Sequence, residues 1–174
     1  MKQQKQTGFT IVELLIVIVV IGILAAITIV AYNGVQDRAN KAKISSDIRQ
    51  ITSAIHAARQ MEGKNLRDIT VSNSTGSPCW SKATDTDLAT LPDTDTCITT
   101  YKLTLSRLSA ASQANLPDLR DPWGRPYLID ENEGEGGGCG RDTVAVFKRP
   151  FTNGFGTYSG TPANNIPIAG YSGC

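Results

Sequence analysis

Two hydrophobic patterns follow one another along the N-terminal part of the chain. From Leu14 to Ala31 no residue is charged and apolar side chains fill nearly every position. As a helix this run would cover about 27 Å at 1.5 Å per residue, close to the hydrocarbon thickness of a bilayer. After Tyr32 the pattern becomes amphipathic. Ile44, Ile48, Ile51, Ile55 and Ala58 recur in steps of four and three, which is one stripe of a helix, while Asp37, Lys41, Asp47, Arg49 and Arg59 fall largely off it. Gly63 is a natural stop. The two patterns together predict one helix from about Thr10 to about Glu62, roughly 80 Å long at the same rise. Its first half is suited to an apolar medium and its second half to a globular head.

Beyond the helix the signals are shorter. Lys64 to Thr100 is polar and rich in Thr, Ser and Asp, and reads as a long loop with one short strand at Ile69–Ser72. Thr104 to about Asn115 reads as a second helix, with Leu105, Leu108 and Ala111 on one side and Pro117 closing it. Tyr127–Asp130, Thr143–Lys148 and Ile166–Tyr171 read as strands of a small antiparallel sheet packed on the long helix. The predicted fold class is α+β: a long N-terminal α-helix, part transmembrane and part amphipathic, against a small head with a short antiparallel β-sheet.

Charge and cysteine content narrow the function. Lys2 and Lys5 precede the apolar run and no cation follows until Arg38, so the positive-inside rule puts Met1 in the cytoplasm and the head outside. The formal net charge of +1 carries no electrostatic footprint for specific nucleic-acid binding. Cys79, Cys97, Cys139 and Cys174 form no C-x-x-C pair, and His56 is the only histidine, which argues against zinc. Four cysteines on the outer side of a membrane favour two disulfides. Three pairings are open, and the one joining sequence neighbours, Cys79–Cys97 and Cys139–Cys174, is preferred. No G-x-S-x-G, H-E-x-x-H or phosphate loop occurs, so no enzyme is expected.

One residue sits oddly in this picture. Glu13 places a carboxylate at the start of the apolar run, and a Gly8-Phe9 pair stands just ahead of it. The segment "GFTIVELLIVIVVIGILAAITIVAY" resembles the N-terminus of type IV pilins and of the related pseudopilins of type II secretion: a short basic leader, Gly, Phe, Glu four residues later, then about twenty apolar residues. The resemblance implies that a prepilin peptidase cuts between Gly8 and Phe9 and methylates the new amine of Phe9. Residues 1–8 are then the leader, 9–32 the transmembrane and filament-core helix, and 33–174 the head. Loss of Lys2 and Lys5 leaves 15 basic against 16 acidic residues, a mature formal charge of about −1. The resemblance further implies that Glu13 pairs with the Phe9 amine of a neighbouring subunit. Neither a carboxylate nor an ammonium is tolerable alone in a low dielectric, so their burial becomes a register signal for assembly. The implied partners are a homopolymer through the N-terminal helix, the peptidase and an inner-membrane assembly platform. The implied location is the cytoplasmic membrane, then an extracellular filament, or the periplasm for a pseudopilin. Many members carry Pro where this chain has Val30, so the residue that would break the helix there is missing.

A second stretch resembles one branch of the family. "DPWGRPY", Asp121 to Tyr127, is compact turn chemistry and is similar to the D-P-W-G-x-P-Y signature of the major pseudopilin of type II secretion. Asp130, Glu131, Asn132, Glu133 and Glu135 follow it on a Gly-rich loop. Oxygen-only ligands on flexible backbone suit Ca²⁺, with Asp130, Asn132, Glu133 and Glu135 as candidate ligands. The major pseudopilins carry calcium in this loop, so the resemblance points the same way; a solvated acidic loop is the competing reading. No cofactor is required. The primary reading is a pilin-like structural subunit of a surface filament for adhesion, twitching motility or DNA uptake. The alternative is the major pseudopilin of a type II secretion system.

Overall fold

The computed structural model describes residues 8–70, 76–131, 142–148, 155–156 and 164–166. A single helix, α1, spans Ile11–Glu62. It runs unbroken through Gly22, Val30 and Gly34. It stops at Gly63, whose φ of +63° places it in the left-handed region and whose N–H closes on the Arg59 carbonyl at 2.9 Å. Short helices α2 (Leu66–Thr70) and α3 (Gly76–Trp80) follow, then a 3-10 turn at Leu88–Thr90 and helix α4 (Thr96–Ser112). Strands β1 (Tyr127–Asp130), β2 (Asp142–Phe147), β3 (Phe155–Gly156) and β4 (Asn164–Ile166) follow. β2 is the centre of the sheet. It pairs antiparallel with β1 from Tyr127↔Val146 to Asp130↔Thr143, and its other edge is shared by β3 and β4.

The chain divides into two compact units, Met1–Ala39 and Asn40–Cys174. In the first, every described side chain from Phe9 to Thr28 is exposed, so the helix presents Ile, Leu and Val on all sides. A helix apolar all round is one that lipid or other helices must cover. By length and composition it is able to cross a membrane.

In the second unit the predicted stripe is the core. Ile44, Ile48, Ile51, Ile55 and Ala58 are all buried, packed with Leu66 and Ile69 of α2 and Tyr101, Leu105 and Leu108 of α4. Tyr127, Ile129, Val144 and Val146 supply the sheet's side of this core. Each fully buried Ile or Leu contributes about 1.5–3 kcal/mol over its exposed state. The alternate residues, Leu128, Ala145 and Phe147, point to the other face and form a second cluster with Cys79, Leu88, Cys97 and Ile98. The sheet is therefore covered on both faces. The segment before α4, read from sequence as a polar loop, supplies the second cover.

Two local expectations change. Residues 66–70 are helical, not a strand, because Leu66, Ile69 and Thr70 are buried at helical spacing and Asn65 Oδ1 caps the turn by accepting from the Asp68 N–H at 3.0 Å. The second helix starts at Thr96, eight residues earlier than expected from its apolar stripe. Asp95 is its cap: the carboxylate accepts from the Cys97 N–H at 2.8 Å while Lys82 Nζ approaches its other oxygen at 2.6 Å. The helix ends at Ser112, with Gln113 in the left-handed region at φ 54°, before Pro117 is reached.

The Cys79–Cys97 disulfide is present, with both residues fully buried. Cys139 and Cys174 lie outside the described residues.

The cap has a pH consequence. Lys82, and then the Cys97 N–H, hold the Asp95 carboxyl below the usual carboxylate range. A folded-state pKa below the unfolded one gives stability that is complete above the unfolded value, about 4, and is lost as pH falls through the folded value. Asn caps as well as Asp but cannot titrate. Wild type is therefore expected to melt above Asp95→Asn at pH 7. The gap should close below about pH 4, as read from thermal melts across that range.

Candidate functional site

The N-terminal turn of α1 is built as a reciprocal cap. Thr10 precedes the first helical residue, and Glu13 stands three positions on. The Thr10 N–H and hydroxyl both donate to Glu13 Oε2, at 2.8 and 2.7 Å, and the Thr10 hydroxyl oxygen accepts from the Glu13 N–H at 3.3 Å. Two N–H groups that would otherwise face an apolar medium unpaired are satisfied by one side chain each. The positive end of the helix dipole also favours a carboxylate here. Glu13 is therefore held on the first turn before any second subunit is considered. The T-x-x-E spacing ahead of an apolar run is the sequence signal for this cap.

Phe9 is 88% exposed and Gly8 lies beside it. A Cβ added at Gly8 would meet nothing within 4 Å, so the fold itself makes no demand for glycine there. A demand for glycine there would have to come from outside the fold, as from a peptidase that cuts between Gly8 and Phe9. Gly8→Val is accordingly expected to leave the head unchanged and to retain the leader. Intact mass beside wild type checks this: loss of the same eight residues from both would contradict it.

In the head, the Asp121–Tyr127 heptad closes on itself. Gly124 N–H bonds the Asp121 carbonyl and Asp121 N–H bonds the Arg125 carbonyl, both at 2.9 Å. Asp121 Oδ1 accepts from the Trp123 and Arg125 N–H groups at 3.0 and 2.9 Å, and Oδ2 takes Arg125 Nε at 2.7 Å. The Arg125 guanidinium also lies over the Trp123 ring, 4.7 Å from its centre. Gly124 needs its φ of +85°, which L side chains rarely adopt. Tyr127 at the heptad's end donates to Asp47 Oδ2 at 2.8 Å, and Lys43 Nζ meets the same oxygen at 2.6 Å. Burial, then the hydrogen bond to Asp47, pushes the Tyr127 phenol up, so it remains a donor. The heptad is architecture: it locks β1 onto α1 and offers no reactive group.

The remaining candidates separate. His56 is exposed on α1. Asp130 ends β1, and Glu131 beside it is buried. Asn132, Glu133 and Glu135 lie outside the described residues. Among the described residues no group of three His, Cys, Asp or Glu side chains is placed to hold a metal ion.

Residues 3–29 match the family model described as the prokaryotic N-terminal methylation motif. Over 55 residues the chain is 42% identical to the type II secretion system core protein G of Klebsiella michiganensis, covering 32% of this chain and 39% of that one. It is 40% identical over 63 residues to a type IV major fimbrial protein FimA of Dichelobacter nodosus, covering 36% and 40%. A longer match, 32% over 102 residues to a FimA of the same species, covers 56% of this chain and 63% of that one. No solved structure matches. Residues 3–29 thus carry the methylation motif, and the N-terminal part of the chain is similar to both type IV pilins and type II secretion core proteins. It spans about two-fifths of the length of the first curated relatives.

Proposed function

We propose that this chain is a structural subunit, cut between Gly8 and Phe9, that polymerises through α1 into a surface filament. One observation carries the reading. A helix with exposed apolar side chains on every side from Phe9 to Thr28 bears a single carboxylate, Glu13, on its first turn, directly after a Gly-Phe junction that the fold does not require. In the filament the apolar surface is covered by the same surface of other copies. Glu13 meets the Phe9 ammonium of a neighbour, which neutralises both charges where neither could remain alone. Catalysis is assigned to no residue.

A second reading, the major pseudopilin of a secretion system, draws on the Asp121–Tyr127 heptad, which is intact and internally locked. Deleting the gene separates the two. Loss of surface fibres with normal protein release supports the pilin, and retention of exoproteins in the periplasm supports the pseudopilin. Both losses absent would overturn the filament reading.

The acidic loop is proposed as a calcium site with Asp130, Asn132, Glu133 and Glu135 as ligands. A ligand bound only to the folded state stabilises by about 2.7 kcal/mol at a hundredfold excess over Kd. Melting is expected to be higher in calcium than in EDTA for wild type, and equal in both for Asp130→Ala. A wild-type melting temperature indifferent to calcium and EDTA would remove the site.

A further inference from the structure

The sheet's two faces are covered in different ways. The face bearing Tyr127, Ile129, Val144 and Val146 packs on the long helix and α4, with extensive apolar side chains on both sides. The face bearing Leu128, Ala145 and Phe147 is covered by the segment from Cys79 to Ile98. Between α3 and α4 that segment has one three-residue turn of regular structure, at Leu88–Thr90. It reaches the sheet with Leu88, partly buried Trp80 and Leu91, and the disulfide itself. Two cross-links fasten its ends: Cys79–Cys97, and the Lys82–Asp95 ion pair at 2.6 Å just inside it. The middle rests beside the Asp121–Tyr127 turn, where a Cβ on Gly124 would stand 3.5 Å from Ala89 Cβ.

We propose that residues 79–97 are a disulfide-fastened lid, whose release bares the apolar outer face of the sheet while the helix-side core stays closed. The two clusters share the sheet but have no side chain in common, so the outer cover can leave without emptying the inner core. A segment with so few apolar anchors is held down less firmly once the disulfide is broken, because the open lid regains the chain entropy that the cross-link removes. Both sulfurs are fully buried, so a reductant meets them only when the lid opens. Reduction by dithiothreitol gives two electrons and two protons to the sulfurs of Cys79 and Cys97 and leaves the reagent as its cyclic disulfide. A lid of this kind completes the head only in an oxidising compartment. A chain held reduced exposes Leu128 and Phe147 as an adhesive strip.

Hydrogen–deuterium exchange of the full chain in detergent micelles tests this, comparing wild type with the Cys79→Ala/Cys97→Ala variant, which leaves Cys139 and Cys174 in place. In the variant, peptides from 80–96 are expected to exchange about a hundredfold faster, the factor a cross-link closing a loop of this length is worth. Peptides from 44–58 should keep wild-type protection. Dithiothreitol should bring wild-type 80–96 to the variant's rate and leave the variant's own 80–96 unchanged. Joint loss of protection in 80–96 and 44–58 would show one cooperative unit and overturn the lid. Unchanged protection of 80–96 in the variant would show that the disulfide does not fasten it, and would overturn the proposal equally.

Discussion

Glu13→Leu is expected to insert into membrane at least as well as wild type and to assemble poorly. An apolar residue is cheaper than a carboxylate at membrane depth. In the proposed filament, however, it would leave the neighbour's Phe9 ammonium buried and unpaired. Breaking a buried ion pair by removing one partner costs about 3–5 kcal/mol. Since each 1.4 kcal/mol is about a factor of ten, filament number per cell should fall by about a hundredfold or more. The Thr10–Glu13 cap complicates the reading, because Leu also removes a hydrogen-bond acceptor from the helix start. Glu13→Gln separates the two effects: Gln at this position retains the reciprocal cap but not the charge. Electron micrographs of cells carrying each variant are the measurement. Both variants should lose filaments. Normal filaments with Gln would assign Glu13 to capping alone, and normal filaments with Leu would remove it from assembly altogether.

The second large effect is on the head. Asp121 is fully buried and accepts from two backbone N–H groups as well as from Arg125. Asp121→Ala takes from Arg125, itself buried, the carboxylate that it pairs with, at a cost of about 3–5 kcal/mol. Domains of this size are stable by about 5–15 kcal/mol, so the variant should lose much of its unfolding free energy. Denaturant titration of a soluble form beginning at residue 40, which carries both apolar clusters, reads the loss as a lower midpoint. Asp121→Ala combined with Arg125→Met should recover part of it, because the buried charge goes with the guanidinium. A single variant with the wild-type midpoint would mean that the turn is held by its proline and glycine geometry alone.

What the sequence revealed follows the range of the interactions involved. The long helix, its buried stripe and its stop at Gly63 were legible because period and cap are local. The strand Tyr127–Asp130 and the core of Thr143–Lys148 were legible from β-branched and aromatic runs. The Cys79–Cys97 pair was reachable because its partners are close in sequence. Ile69–Ser72 reads as a strand for the same β-branched reason, yet the Asn65 cap and burial of Leu66 and Ile69 make 66–70 a helix. α4 starts at Thr96 because the Asp95 side chain caps it, whereas its apolar stripe marks only its middle. The buried polar residues were hidden most deeply. Asp47 lies off the stripe and still is buried, because Tyr127, eighty positions away, brings a hydroxyl to it. Arg59 in the last turn of α1 pairs with Asp142 at the start of β2 by the same kind of long-range closure. In the N-terminal segment Gly8, Phe9 and Glu13 stand out as a motif, and the T-x-x-E spacing that makes Thr10 the cap is equally local.

The central claim is that the chain's first eight residues are a leader and that Phe9 becomes the end of an assembling helix. The intact mass of the wild-type protein, purified from membranes and from sheared filaments, tests it most directly. One species is expected in both fractions, beginning at Phe9 and heavier than that sequence by a single methyl group. A protein that still begins at Met1, or one cut beyond Ala31 so that the apolar helix is gone, would contradict it.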